Sequence, residues 1–256
     1  MFENLLVGGC SFTQKSTWAV VLQRQFNPKK YYDCALGGAG NYHISQSVQW
    51  ALENSDFNPE KTLVVVMWSG NDRDDEIIDA KYLNRTYHSK FLFTTDVATA
   101  ITGGMHENAI SNTQKYVKNF YSLKSKKSKA IENYLHIISL YHYLKSNNYK
   151  FIFLDYLNRS LPNRTVDFDI VNFLPKKLKK KYLNMVPRDI EDIYSYCLKN
   201  NMLDTSDDFH QTAEGQLDWA LKILLPYIGK KLCIPIKPDY YAIDLDQNDY
   251  IPIDEN

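Results

Sequence analysis

The four cysteines, Cys10, Cys34, Cys197 and Cys233, include no CxxC pair. Neither a zinc cluster nor a disulfide framework is therefore indicated, and no metal or organic cofactor is expected. No apolar run approaches the roughly 20 residues that a bilayer-spanning helix needs. No secretory leader is expected either: Glu3 follows the start, and residues 5–9 are far too few for an h-region. Charge of one sign is also lacking, with 30 Lys and Arg against 30 Asp and Glu. Without a global field, neither nucleic acid nor an anionic membrane is expected as a partner. These absences leave a cytoplasmic protein with free thiols and a small-molecule partner as the expectation. They give no indication of oligomeric state. The three sequons, at Asn84, Asn158 and Asn163, read as chance in an Asn-rich chain.

What is present is length and rhythm. A chain of 256 residues can bury a sizeable core, and one α/β domain routinely reaches this size. No internal repeat and no domain boundary interrupts it. Short apolar runs followed by helical patterns recur, which predicts βα units around a parallel sheet. Strands are expected at residues 4–7, 31–36, 62–69 and 150–156. The third, "TLVVVMWS", is β-branched and apolar on both faces, as a central covered strand must be. Helices are expected at 16–26, 42–53, 115–147, 189–202 and 212–231. The predicted fold class is thus α/β, a three-layer α/β/α sandwich with a mostly parallel, flavodoxin-like central sheet. Two stretches without periodicity, about 73–114 and 158–187, read as insertions that overhang the site at the carboxyl end of the sheet. From residue 238 the chain is an acidic tail. The lysine clusters "KSKKSK" and "LPKKLKKKYL" read as solvated helix faces, and the nineteen tyrosines as a codon bias rather than a carbohydrate-binding face.

Ligands bind at the carboxyl ends of the strands in open parallel sheets, so the loops there should gather in space. Three follow predicted strands: "GGCSFT", "GGAGN" and "SGNDR". A fourth segment, "DTSDDFHQTAEG", leads into the last helix. Acyl transfer at a serine needs a hydroxyl, an imidazole, a carboxylate to fix its tautomer, and donors for the oxyanion. Ser11 sits where a strand turns toward a helix, and His210 can supply the base. Asp207, three residues before His210, can reach the other ring nitrogen. The N–H groups of Ser11 and Gly40 and the side-chain amide of Asn71 can form the oxyanion hole. Each residue also has a plainer reading. Ser11 can cap a turn, Gly40 can serve a tight loop, and Asn71 can close an Asx-turn. Cys10, beside Ser11, reads as a buried small hydrophobe rather than a thiolate.

The ordered set "GCSFT", "GGAGN", "SGND" and "DDFH" resembles the four blocks of the SGNH (GDSL-like) hydrolase superfamily. Those blocks contribute Ser, Gly, Asn and His, matching Ser11, Gly40, Asn71 and His210 over residues 5 to about 229. Cys10 stands where the family usually has an acid, Ser69 takes a usual Gly position, and Asp208 adjoins Asp207 as a second carboxylate. The resemblance implies a serine esterase with Ser11, Asp207 and His210 as catalytic residues and Ser11, Gly40 and Asn71 as oxyanion donors. It further implies deacylation, often of acetyl groups on carbohydrates. An O-acyltransferase with the same machinery, or a non-catalytic binding protein that keeps the fold, are the alternatives.

Overall fold

The computed structural model describes residues 2–14, 16–71, 73, 75–79, 97–101, 124–157, 170–204 and 210–236. Its centre is a wholly parallel four-stranded sheet. Strands β1 (Asn4–Gly8), β2 (Lys30–Asp33), β3 (Thr62–Trp68) and β6 (Lys150–Asp155) run in the order β2-β1-β3-β6. That is the flavodoxin-like order expected. Leu5 aligns with Tyr31 on one side and Leu63 on the other, and Val65 aligns with Ile152. Every residue of β1 and β3 is buried, which follows from two covered faces.

The chain moves from β1 to β2 in one direction, then crosses back past β1 to β3. Right-handed crossovers therefore place α1 (Thr17–Phe26) and α2 (Asn41–Glu53) on opposite faces. Helix α3 (Lys126–Ser146) joins β3 to β6 in the same direction as α2 and packs beside it. On the other face α1 packs against α7 (Ala213–Trp219). The three layers follow from this wiring. In α1 the buried set is Trp18, Ala19, Val21, Leu22, Gln25 and Phe26, a helical stripe ended by Asn27 at φ 43°. Fully buried side chains such as Trp68 and Phe153 each stabilise the fold by about 2 kcal/mol.

Several boundaries differ from the sequence expectation. Strand β2 ends at Asp33, whose side chain accepts from the Ala35 N–H at 2.9 Å. The chain still runs along β1, with Cys34 N–H donating to Val7 O and Leu36 N–H to Gly9 O. The helix expected at 189–202 is only α6, Ile193–Lys199, with Asp192 capping Ser195 N–H. The last helix is continuous to Leu232, but it is α7, then a π turn at Ala220–Leu224, then α8 (Leu225–Leu232). Pro226 explains the π turn: its ring and missing N–H cannot follow the α pattern, and Leu225 N–H reaches back to Ala220 O.

The two insertions are not without regular structure. The first contains an antiparallel pair, β4 (Asp75–Asp79) and β5 (Val97–Ile101), with Ile77 opposite Thr99. The second contains α4 (Ile170–Phe173) and α5 (Lys176–Met185). Both are anchored at the carboxyl end of the sheet. Asp75 meets the start of α2, and Tyr182 Oη donates to Asp155 Oδ1 at the end of β6, at 2.6 Å. The acidic tail, Asp72, Asp207 and Asp208 lie outside the described residues. Among the described residues no helix is long and apolar enough to cross a membrane.

Candidate active site

The site is built where β1 ends. Both N–H groups of Thr13 and Gln14 donate to Cys10 O at 2.9 Å, closing a tight turn that lifts Ser11 out of the core. Gly9 permits it: a Cβ there would lie 2.0 Å from Thr13 Oγ1 and 3.1 Å from Met67 O. Cys10 has no exposed surface, while Ser11 is half-buried. The geometry thus separates the adjacent nucleophile candidates. Ser11 Oγ lies 3.0 Å from His210 Nε2, across 199 residues of sequence.

His210 is held from the backbone. Asp204 N–H donates to His210 O at 2.7 Å, Thr212 N–H donates to Met202 O at 2.9 Å, and Leu203 bridges Gln211 antiparallel. Thr212 then caps α7 through Gly215 N–H. Gly215 is a close approach, since a Cβ there would meet Met202 Cβ at 2.7 Å and Cys197 Sγ at 2.9 Å. A further tie joins the two halves of the site: Gln216 Oε1 accepts from Thr17 N–H at 2.8 Å. The start of α1, just after the Ser11 turn, and α7, just after His210, are therefore fixed to each other.

The remaining loops are laced by side-chain amides. Gln14 Oε1 accepts from Gly37 N–H at 2.7 Å. Asn41 bonds Ser69 twice, accepting from its N–H at 2.8 Å and donating to its O at 3.1 Å. Asn71 is buried, with its Oδ1 accepting from Asn133 Nδ2 and its Nδ2 donating to Lys126 O, both at 3.1 Å. One Nδ2 hydrogen is left for another acceptor.

Gly40 differs from the sequence expectation. Its N–H, assigned there to an oxyanion, donates to Asp75 Oδ1 at 2.9 Å, and His43 N–H donates to Asp75 Oδ2 at 3.0 Å. A carboxylate is a natural partner for the first turn of a helix, where N–H groups lack intrahelical acceptors. A Cβ on Gly40 would lie 2.8 Å from Asp75 Oδ2 and 2.9 Å from Arg73 O, so this contact requires glycine. Burial lowers the pKa of His43, in the same helix, to about 4, and keeps the ring neutral at ordinary pH.

Sequence reasoning missed Asp75, Asn133, Phe12 and Tyr156. Asn133 had a signal: it is the single polar residue in the buried stripe Ala130, Tyr134, Ile137, Leu140 and Leu144 of α3. Phe12 and Tyr156 had none, since aromatics next to a strand read as core. The Phe12 ring stacks on His210, centroids 4.8 Å apart and planes 27° apart, and on Tyr156 at 4.6 Å and 15°. Of the sequence-assigned residues, the structure brings Ser11 and His210 together and ties Gly40 and Asn71 into neighbouring loops. Asp207 lies outside what it describes. Among the described residues no group of three or more His, Cys, Asp and Glu side chains is placed to hold a metal.

No family model and no curated protein matches the chain. Solved structures do resemble it in fold. A member of the lipolytic G-D-S-L family from Veillonella parvula has a TM-score of 0.46 at 10% identity, over 90% of this chain and 97% of that one. The acetyl xylan esterase AlAXEase has a TM-score of 0.44 at 15% identity, over 85% of this chain and 96% of that one. A GDSL-like lipase from Bacteroides thetaiotaomicron has a TM-score of 0.42 at 15% identity, over 90% and 89%.

Proposed function

We propose that this chain hydrolyses small esters through a seryl acyl-enzyme, acetyl esters of carbohydrates being the substrate class suggested by the resemblance. The observation that carries the proposal is the 3.0 Å contact between Ser11 Oγ and His210 Nε2. In the acylation step Ser11 Oγ attacks the ester carbonyl carbon and its proton passes to His210 Nε2. The tetrahedral intermediate collapses as the C–O bond to the alcohol breaks, and His210 returns the proton to the departing oxygen. Water then attacks the acyl carbon as His210 takes its proton; the bond from that carbon to Ser11 Oγ breaks, His210 returns the proton to Oγ, and the acid leaves. Asp207 is assigned to the second ring nitrogen of His210. The N–H of Ser11, the second Nδ2 hydrogen of Asn71, and Gly40 N–H once Asp75 has yielded it, are assigned to the oxyanion.

A fluorophosphonate probe and p-nitrophenyl acetate test this together. The wild type should be labelled on Ser11 and release p-nitrophenol, while Ser11→Ala and His210→Ala lose at least about a thousandfold in kcat. A wild type that neither labels nor turns over, or a Ser11→Ala variant that keeps full turnover, refutes the proposal. Acyl transfer in place of hydrolysis would appear as acetylated sugar when a carbohydrate acceptor is added.

A further inference from the structure

We infer that Phe12, backed by Tyr156, is a positioning residue that holds the His210 ring by its face. Three rings form one stack, Tyr156–Phe12–His210, with Phe12 in the middle. Phe12 is a rigid middle member. It is buried, it follows Ser11 directly, and its carbonyl accepts from Trp18 Nε1 at 2.7 Å. Tyr156 is fixed in turn by the sheet, its N–H donating to Trp68 O at 3.4 Å and its O accepting from Tyr194 N–H at 3.3 Å. One short backbone segment thus presents both the hydroxyl that loses a proton and the platform under the ring that receives it.

The manner of holding matters chemically. A hydrogen-bonding partner orients an imidazole through one edge nitrogen and occupies it. A face contact leaves both edge nitrogens in the ring plane, one for Ser11 and one for a carboxylate. The stack also favours the charged state: an imidazolium formed over an aromatic face meets the negative side of its quadrupole. This benefit arises only after the proton has moved from Ser11 Oγ to His210 Nε2, so it belongs to the transition state rather than to substrate binding. The proton-transfer part rests on the esterase reading; the orientation of the ring does not.

The test compares Phe12→Leu, which keeps apolar bulk without a π face, with Phe12→Tyr, which restores the face. With p-nitrophenyl acetate, Phe12→Leu should lower kcat about tenfold with KM within about twofold, and Phe12→Tyr should recover most of the loss. Tyr156→Leu, which removes the backing, should fall between them, while Tyr156→Phe should match the wild type. Proton NMR supplies a readout independent of turnover. The His210 ring protons should be shifted upfield in the wild type and in Phe12→Tyr, and return downfield in Phe12→Leu. If Phe12→Leu does not fold, judged by thermal melting, Tyr156→Leu carries the same two readouts. Unchanged kcat together with unchanged His210 ring protons in the leucine variants overturns the inference. So does a kcat loss that Phe12→Tyr fails to restore. A wild type inactive on esters but with upfield His210 protons would remove the esterase reading and leave the stack standing.

Discussion

Asp75 accepts the Gly40 N–H at 2.9 Å, the donor that the proposed mechanism assigns to the oxyanion. The same carboxylate accepts from His43 N–H, so it serves as a cap on α2 supplied from a distant segment. Under the proposed mechanism, capping and catalysis compete for one donor. Asp75→Ala should cost about 1–2 kcal/mol of stability through the lost cap. It should also raise kcat on p-nitrophenyl acetate at a temperature where the variant is fully folded, because Gly40 N–H is released. Melting temperature and initial rates measured on the same preparation check both halves. A fall in kcat under those conditions would show that Asp75 supports the hole rather than filling it.

Asn133 fixes which way the Asn71 amide faces. With Asn71 Oδ1 accepting from Asn133 and one Nδ2 hydrogen on Lys126 O, the second hydrogen has a defined direction. Removing one oxyanion donor costs about 10²–10³ in kcat, so Asn71→Ala should fall in that range. Asn133→Ala leaves the donor present but free to turn, and should lose about tenfold in kcat with little change in KM. It should also cost about 1–3 kcal/mol, because a buried amide oxygen loses its partner. Equal losses in the two variants would mean that Asn133 holds the whole loop, not just the amide.

The parts of this molecule that were legible in the sequence are those where local pattern and chemistry agree. Residues 62–69 read as a central strand because every position but Ser69 is apolar or β-branched, and Thr62–Trp68 is buried throughout. The meeting of Ser11 and His210 was legible because the strand rhythm brings their loops together. Asp75 and Asn133 were not, because their roles arise from contacts across 35 and 62 residues that no periodicity encodes. The π turn at Ala220–Leu224 was hidden for another reason: Leu217, Leu221, Leu224 and Ile228 keep helical spacing, and the single proline that shifts the register reads as tolerable. The insertions were opaque because their strands and short helices are too brief to establish a period.

His43 should make the protein acid-sensitive. Its folded pKa, about 4, lies below its ordinary 6.5 because burial penalises the charged ring. Between those values the unfolded chain binds more protons than the folded one, so stability rises with pH across this window and is lost as pH falls. From pH 7 to pH 5 the contribution is about 2 kcal/mol. His43→Gln removes the titration. Its stability, by urea unfolding at pH 7 and pH 5, should therefore change less than that of the wild type by about that amount. Parallel curves would mean that water or a partner already satisfies the charged ring.

Cys10 stands beside Ser11, the proposed nucleophile, and burial separates their chemistry. It has no exposed surface, whereas Cys233, the residue that follows α8, is exposed. Iodoacetamide under native conditions should modify Cys233 first and leave both Cys10 and esterase turnover intact, as read by peptide mass spectrometry alongside initial rates. Cys10→Ala removes only a small buried apolar group, and should keep kcat within about threefold while costing about 1 kcal/mol. Loss of turnover that tracks alkylation of Cys10, with Ser11 unlabelled by fluorophosphonate, would transfer the nucleophile's role from the hydroxyl to the thiol.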